Sequence, residues 1–178
     1  MFAHKFIFLM VSILLLSSCG FHPLYKEDSQ EIKHHLTHIK IQTIPNREGQ
    51  ILHNQLSTLL TPHGAAAHPL YTLSTTLIFA TRGVAIQKDA TASQEAVDLT
   101  FKIILTDFKT GDVLYSTSET LSVDYVVSFT APYSNLVEEK SAKRRLVDEA
   151  AQSIRLHLAS FFSKSKSSQP LKINEALA

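Results

Sequence analysis

Cys19 is the only thiol in this 178-residue chain, which narrows the chemistry open to it. An intramolecular disulfide needs a second cysteine, so what remains is burial as a small apolar side chain or use as a nucleophile. Nine histidines are the other conspicuous resource. His34, His35 and His38 fall close together, but their segment runs from a polar stretch into a strand. It offers no cysteine and no carboxylate set beyond Glu31, so no metal site is expected. His53, His63, His68 and His157 are isolated in the sequence, and His22 stands just after the cysteine. No nucleophile elbow, phosphate loop or zinc-protease helix is present, and Asp98, Asp107 and Asp112 are explained by strand or turn positions. The chain is expected to be no enzyme and to hold no cofactor beyond a covalent lipid.

That lipid is expected from the residues before the cysteine. His4 and Lys5 give a weakly basic start, followed by an unbroken apolar run from Phe6 to Leu16. The run is far shorter than the roughly 20 residues a bilayer-spanning helix needs, so it fits a cleaved export signal over residues 1–18. Leu16-Ser17-Ser18-Cys19 resembles the box cut by lipoprotein signal peptidase, with small residues before the scissile bond between Ser18 and Cys19. Diacylglycerol on the Cys19 sulfur and an acyl chain on its amine, of the palmitate kind, would then anchor the protein. At about 0.8 kcal/mol per buried methylene, one chain binds only reversibly, whereas two or three hold persistently. Gly20 follows the cysteine, where the usual inner-membrane retention signal resembles an Asp, so the expected location is the periplasmic side of the outer membrane.

Removing the signal leaves 160 residues with 16 basic and 16 acidic side chains. That length suits one domain. Balanced charge argues against a nucleic-acid binder, which relies on a broad basic field. Residues 19–35 read as a lipidated N-terminus and tether, 36–162 as one domain, and 163–178 as a disordered Ser/Lys-rich tail.

Within the domain, Ile39 and Ile41 alternate with polar residues in a first strand from Leu36 to Ile44. Pro45 ends it, and Asn46 is the expected N-cap of a helix reaching Leu60, with Ile51, Leu52, Leu56, Leu59 and Leu60 on one face. Alternation returns from Leu70 to Thr81, with a bulge at Arg82-Gly83, and again from Val97 to Leu105. A turn holding Thr110-Gly111 leads to a fourth strand from Val113 to about Val127. After Pro132 the period becomes helical, with Leu146, Val147, Ala150, Ile154, Leu158 and Phe161 on one stripe, and Asn135 with Glu138 as a box-like start. The expected fold class is α/β (α+β): a two-layer sandwich of order β-α-β-β-β-α, its mixed four-stranded sheet carrying two helices on one face. The other face, rich in Ser and Thr, is either solvated or meets a partner.

The run Cys19-Gly20-Phe21-His22-Pro23-Leu24-Tyr25 resembles the start of the LPS-assembly lipoprotein family LptE, of alphaproteobacterial type. Its Phe21, Leu24 and Tyr25 equally suit an interfacial aromatic anchor. Arg47, Gly49, Gln50 and Asn54 stand at the spacing of that family's strand-to-helix segment, and Asp107, Thr110 and Gly111 match its later turn. The resemblance implies a plug for the outer-membrane barrel LptD, one that helps the barrel assemble and helps move lipopolysaccharide to the surface. It also implies lipopolysaccharide contacts through basic residues, here Lys88 in a middle loop and Lys140, Lys143, Arg144 and Arg145 near the start of the last helix. Near Lys88 this chain carries Ala92-Ser93-Gln94-Glu95 where many relatives carry an Arg, and for the helix cluster a solvated face is the favoured reading over a ligand site. The alternative is an envelope lipoprotein without catalysis that binds another partner.

Overall fold

Apolar alternation decides the sheet. In the computed structural model, which describes residues 28–86, 92–128 and 130–167, Val97, Leu99, Phe101, Ile103 and Leu105 all point inward and are fully buried. They lie on β3 (Ala92–Asp107), between β2 (Tyr71–Ile86) and β4 (Val113–Ser128). Both neighbours run antiparallel to β3. The short β1 (Ile39–Ile41) pairs in parallel with Tyr71–Leu73 at the start of β2. The sheet order is β1-β2-β3-β4.

Among the described residues three helices accompany the sheet: α1 (Asp28–Thr37), α2 (Asn46–Leu60) and α3 (Pro132–Ser167). From Glu31 onward the described elements belong to one compact unit. Leu52, Leu56 and Leu60 of α2 join Leu146, Val147, Ala150, Ile154 and Leu158 of α3 and the inward sheet residues in a single core. Each fully buried Leu, Ile or Phe contributes about 1.5–3 kcal/mol, so this one layer supplies most of the driving force. The expected two-layer architecture with a mixed four-stranded sheet holds, and one helix is added at its front.

That helix corrects the reading of residues 19–35 as tether, since α1 occupies Asp28–Thr37. Ile32 and Leu36, four residues apart, share one face and pack against the core. The first strand shrinks accordingly from Leu36–Ile44 to Ile39–Ile41, although Ile44 is buried beyond it. At the other end, α3 continues through Ser163–Ser167, residues assigned to the tail from sequence.

Both expected helix starts also change. Helix α2 begins at Asn46 itself, with Pro45 in the cap position and no side-chain cap hydrogen bond. Asn46 takes a φ of 70°, a left-handed conformation that Asn tolerates better than most residues. Helix α3 begins at Pro132, and Asn135 turns back to strand β4 instead of capping. Proline suits a first helical position because its missing N–H has no partner to lose there.

The strand ends follow local chemistry. Between Gly83 and Ala85 the ladder slips, placing the bulge where Arg82-Gly83 suggested it. Strand β3 starts at Ala92, ahead of the Val97 at which its alternation begins. In the β3–β4 turn, Asp107 Oδ1 accepts from the N–H groups of Lys109 and Thr110 at 2.8 and 2.9 Å. Gly111 then takes a φ of 77°, a value that glycine adopts without a Cβ clash.

Candidate functional site

Arg47 in the first turn of α2 and Lys140, Lys143 and Arg144 on α3 meet across the helix layer. With Glu48, Ile51 and Ser141 they line a cleft of about 280 Å³. Four α3 cations, Lys140, Lys143, Arg144 and Arg145, were expected to act together, and the cleft gathers the first three. Sequence reasoning missed Arg47 as a member of the group, although the motif holding Arg47 and Gly49 had marked the segment. Arg145 does not line the cleft and stands exposed.

Gly49 explains how α2 reaches this position. A Cβ at residue 49 would lie 2.7 Å from Ile44 Cγ2 and 2.9 Å from the Ile44 carbonyl carbon and oxygen. Only glycine lets the first turn of α2 lie directly on the buried end of the β1–α2 connection. That approach sets where Arg47 and Glu48 project.

The cations differ in how far they are already engaged. Lys143 Nζ lies 2.6 Å from Glu139 and 5.9 Å from the centre of the Phe79 ring, so it serves the interior side of the cleft. Within the described residues no ion pair engages Arg47, Lys140 or Arg144. Grouped like charges repel one another, and an anion offering several oxygens relieves that repulsion through charge-assisted hydrogen bonds. The start of α2, with its N–H groups uncapped by any side chain, favours the same sign of ligand.

Within reach of Glu139, the partner of Lys143, Tyr125 donates to Glu95 Oε2 at 2.6 Å. Burial and the adjacent carboxylate, with Glu139 adding to it, push the phenol well above its ordinary value, so it stays a neutral donor. This bond holds β4 to β3 at the end of the sheet nearest the start of α3.

A second polar cluster resembles a hydrolytic trio in composition only. Ser153 Oγ donates to Glu119 Oε2 at 2.5 Å, and His157 Nε2 lies 2.9 Å from the same oxygen. The hydroxyl is bonded to the carboxylate and not to the imidazole, so the serine–histidine relay of a hydrolase is not formed. The hydrogen bonds from Ser153 and then His157 hold the Glu119 carboxyl below its ordinary value. The cluster pins α3 onto β4, and His157, read as isolated, is a working part of it.

On the opposite side of the sheet, the exposed face is laced by polar rungs. Arg82 donates to Asp98 at 2.9 Å and to Ser122 at 3.3 Å, while Ser122 donates to Asp98 at 2.5 Å. Thr100 and Thr120 bond across β3 and β4 at 2.8 Å. The Ser/Thr content noted in the sequence therefore lies on one outward face.

The histidines near the domain's start are structural. His34 and His38 pack with ring centres 4.2 Å apart, and His35 bonds the Tyr71 hydroxyl at 3.0 Å and stacks on Phe162. Among the described residues no group of three side chains is arranged to hold a metal. Ser18, Cys19, Gly20, Phe21, Pro23, Leu24, Tyr25 and Lys88 lie outside the described residues.

Comparison with known proteins agrees with the architecture. A protein of Rickettsia prowazekii, itself uncharacterized, is 29% identical over 157 residues, covering 88% of this chain and 97% of its own. A lipoprotein structure from Caulobacter crescentus aligns with a TM-score of 0.56 at 24% identity, over 75% of this chain and 97% of the other. The rare lipoprotein B of Shewanella oneidensis shares the fold at 7% identity and a TM-score of 0.57, over 72% of this chain and 98% of the other. The LptE lipopolysaccharide-assembly family model matches residues 36–158, from the last turn of α1 to Leu158 of α3. The chain therefore belongs to the LptE family of lipopolysaccharide-assembly proteins, in its alphaproteobacterial form.

Proposed function

We propose that this protein is an outer-membrane lipoprotein, anchored through lipid on Cys19, that plugs the LptD barrel. In that position it would help the barrel assemble and help deliver lipopolysaccharide to the cell surface. The family match across residues 36–158 carries this reading. The geometry supports it in two ways. A sheet face closed by Arg82–Asp98–Ser122 and Thr100–Thr120 rungs offers hydroxyls and charges to a wet lumen without a broad apolar surface. The cleft of Arg47, Lys140 and Arg144 suits the phosphates of lipopolysaccharide. Lys88, Lys143 and Arg145 are weaker candidates for the same contact.

The role is structural and non-catalytic, with no cofactor besides the lipid anchor. Depletion in the native cell tests it, read out by the folding state of the barrel and by lipopolysaccharide at the surface. Both are expected to fall, and a large barrel is expected to co-purify with the solubilised lipoprotein. A correctly folded barrel and unchanged surface lipopolysaccharide after depletion would refute the plug reading.

A further inference from the structure

Strand β4 is the outer strand of the sheet, and among the described residues no strand pairs with its free side. A long edge offers a row of unpaired N–H and C=O groups, which proteins usually blunt with proline, lysine, bulges or short length. From Tyr115 to Ser128 this edge contains no Pro, Lys, Arg or bulge, and its charges are Glu119, turned inward to Ser153 and His157, and the exposed Asp124. Its one ladder irregularity is at Leu114, where Leu105 pairs with Tyr115 but Thr106 pairs with Val113. The open edge of β2 is different, since beyond its pairing with β1 it carries Arg82 and the bulge at Gly83–Ala85.

The sequence of β4 is close to palindromic about Thr120. If two copies pair antiparallel in one sheet, opposed residues must come from the same face, so the two-fold axis passes through a residue. With the axis at Thr120, Ser118 opposes Ser122, Thr117 opposes Val123, Ser116 opposes Asp124, and Tyr115 opposes Tyr125. Leu114 and Val126, exposed at 39% and 56%, then come together and shield each other. Glu119 opposes Leu121, and its carboxylate stays turned to Ser153 and His157. Moving the axis to Glu119 would set two carboxylates against each other. Moving it to Leu121 would put Leu114 against Ser128 and Val126 against Ser116, leaving both apolar side chains opposite hydroxyls.

The helix layer points to the same axis independently. Ser153 and His157 reach Glu119, one residue from Thr120. Leu156 lies between them in α3, three residues after Ser153, and is 63% exposed. In a paired sheet the two α3 helices come alongside each other at this level, and Leu156 gains a like neighbour.

We propose that the free protein is a two-fold dimer in which the β4 edges of two copies pair antiparallel about Thr120, joining both sheets into one. This goes beyond the barrel reading and is tested without a barrel. The full chain, purified in detergent with no other protein, is expected to sediment with the mass of two chains. Thr120→Lys and Thr120→Glu each place like charges across the axis and are expected to sediment as single chains. An equal mixture of the two variants is expected to regain the two-chain mass, which a folding defect could not produce. A single-chain mass for the unmodified protein, a two-chain mass for Thr120→Lys alone, or no recovery in the mixture would overturn the dimer. None of these outcomes bears on whether the barrel needs this protein.

Discussion

Asn135 closes both backbone hydrogen-bonding groups of Ser128 with the two ends of one side-chain amide. Its Oδ1 accepts from the Ser128 N–H and its Nδ2 donates to the Ser128 carbonyl, each at 2.8 Å. The end of β4 is thereby tied to the first turn of α3. Asn135→Ala removes both bonds from a half-buried site, so it is expected to cost about 1–3 kcal/mol. Chemical denaturation read by circular dichroism checks this, and Asn135→Asp is expected to retain only the accepting half.

Gly49→Ala tests the close approach of α2 to Ile44. A methyl at 2.7 Å from Ile44 Cγ2 and 2.9 Å from its carbonyl forces the helix outward. The expected loss is about 1–3 kcal/mol, despite the better helix propensity of alanine. An unchanged or raised midpoint would show that the connection gives way at no cost.

Thr75 carries the opposite sign. Its hydroxyl is buried among the inward-facing residues of β2 and has no hydrogen-bond partner among the described residues. Thr75→Val keeps the branched shape and removes the orphaned oxygen, so stability is expected to rise by about 1 kcal/mol. The same denaturation experiment reads it.

Three carboxyls give stability that acid removes. Asp98 is held below its ordinary value by Ser122 and Arg82, Asp107 by the N–H groups of Thr110 and Lys109, and Glu119 by Ser153 and His157. Because the folded values are depressed, the contribution is complete above the ordinary carboxylate range and drains away as pH falls through the folded values. Thermal midpoints are therefore expected to hold from neutrality to about pH 5 and to fall below about pH 4. In Glu119→Gln the midpoint near neutrality should drop and the acid decline should flatten.

The cleft is tested by charge reversal. Lys140→Glu and Arg144→Glu are each expected to weaken lipopolysaccharide binding about tenfold, the loss of one charge-assisted contact. Arg145→Glu, one residue along but outside the lining, is expected to weaken binding less than either. Equal loss in all three variants would show a diffuse charge effect and no defined site.

How much of this was legible follows from how local each signal is. The face of β3 is written in five consecutive alternating positions, Val97 to Leu105, and it came out residue for residue. Helix α1 has only Ile32 and Leu36 as its apolar stripe, set in a polar stretch, so nothing local separates it from a linker. Its helical state comes from tertiary burial of those two side chains. The cleft was half visible: Lys140, Lys143 and Arg144 share one helix, while Arg47 meets them from α2 across more than ninety positions of sequence. No periodicity records that meeting, nor does any spacing reveal that Ser153 and His157 converge on Glu119.

The stacking of His35 on Phe162, ring centres 5.0 Å apart, holds the last turns of α1 against the far end of α3. Phe162 lies near the end of α3, and Arg144 lies about 27 Å back along the same helix at 1.5 Å per residue. Physiological salt screens exposed charges beyond about 8 Å. A charged surface at the far end of α3 is thus electrostatically silent at the cation cleft, and the salt dependence of any anion held there reports the charges around the cleft itself, Arg47, Lys140, Lys143 and Arg144 among them.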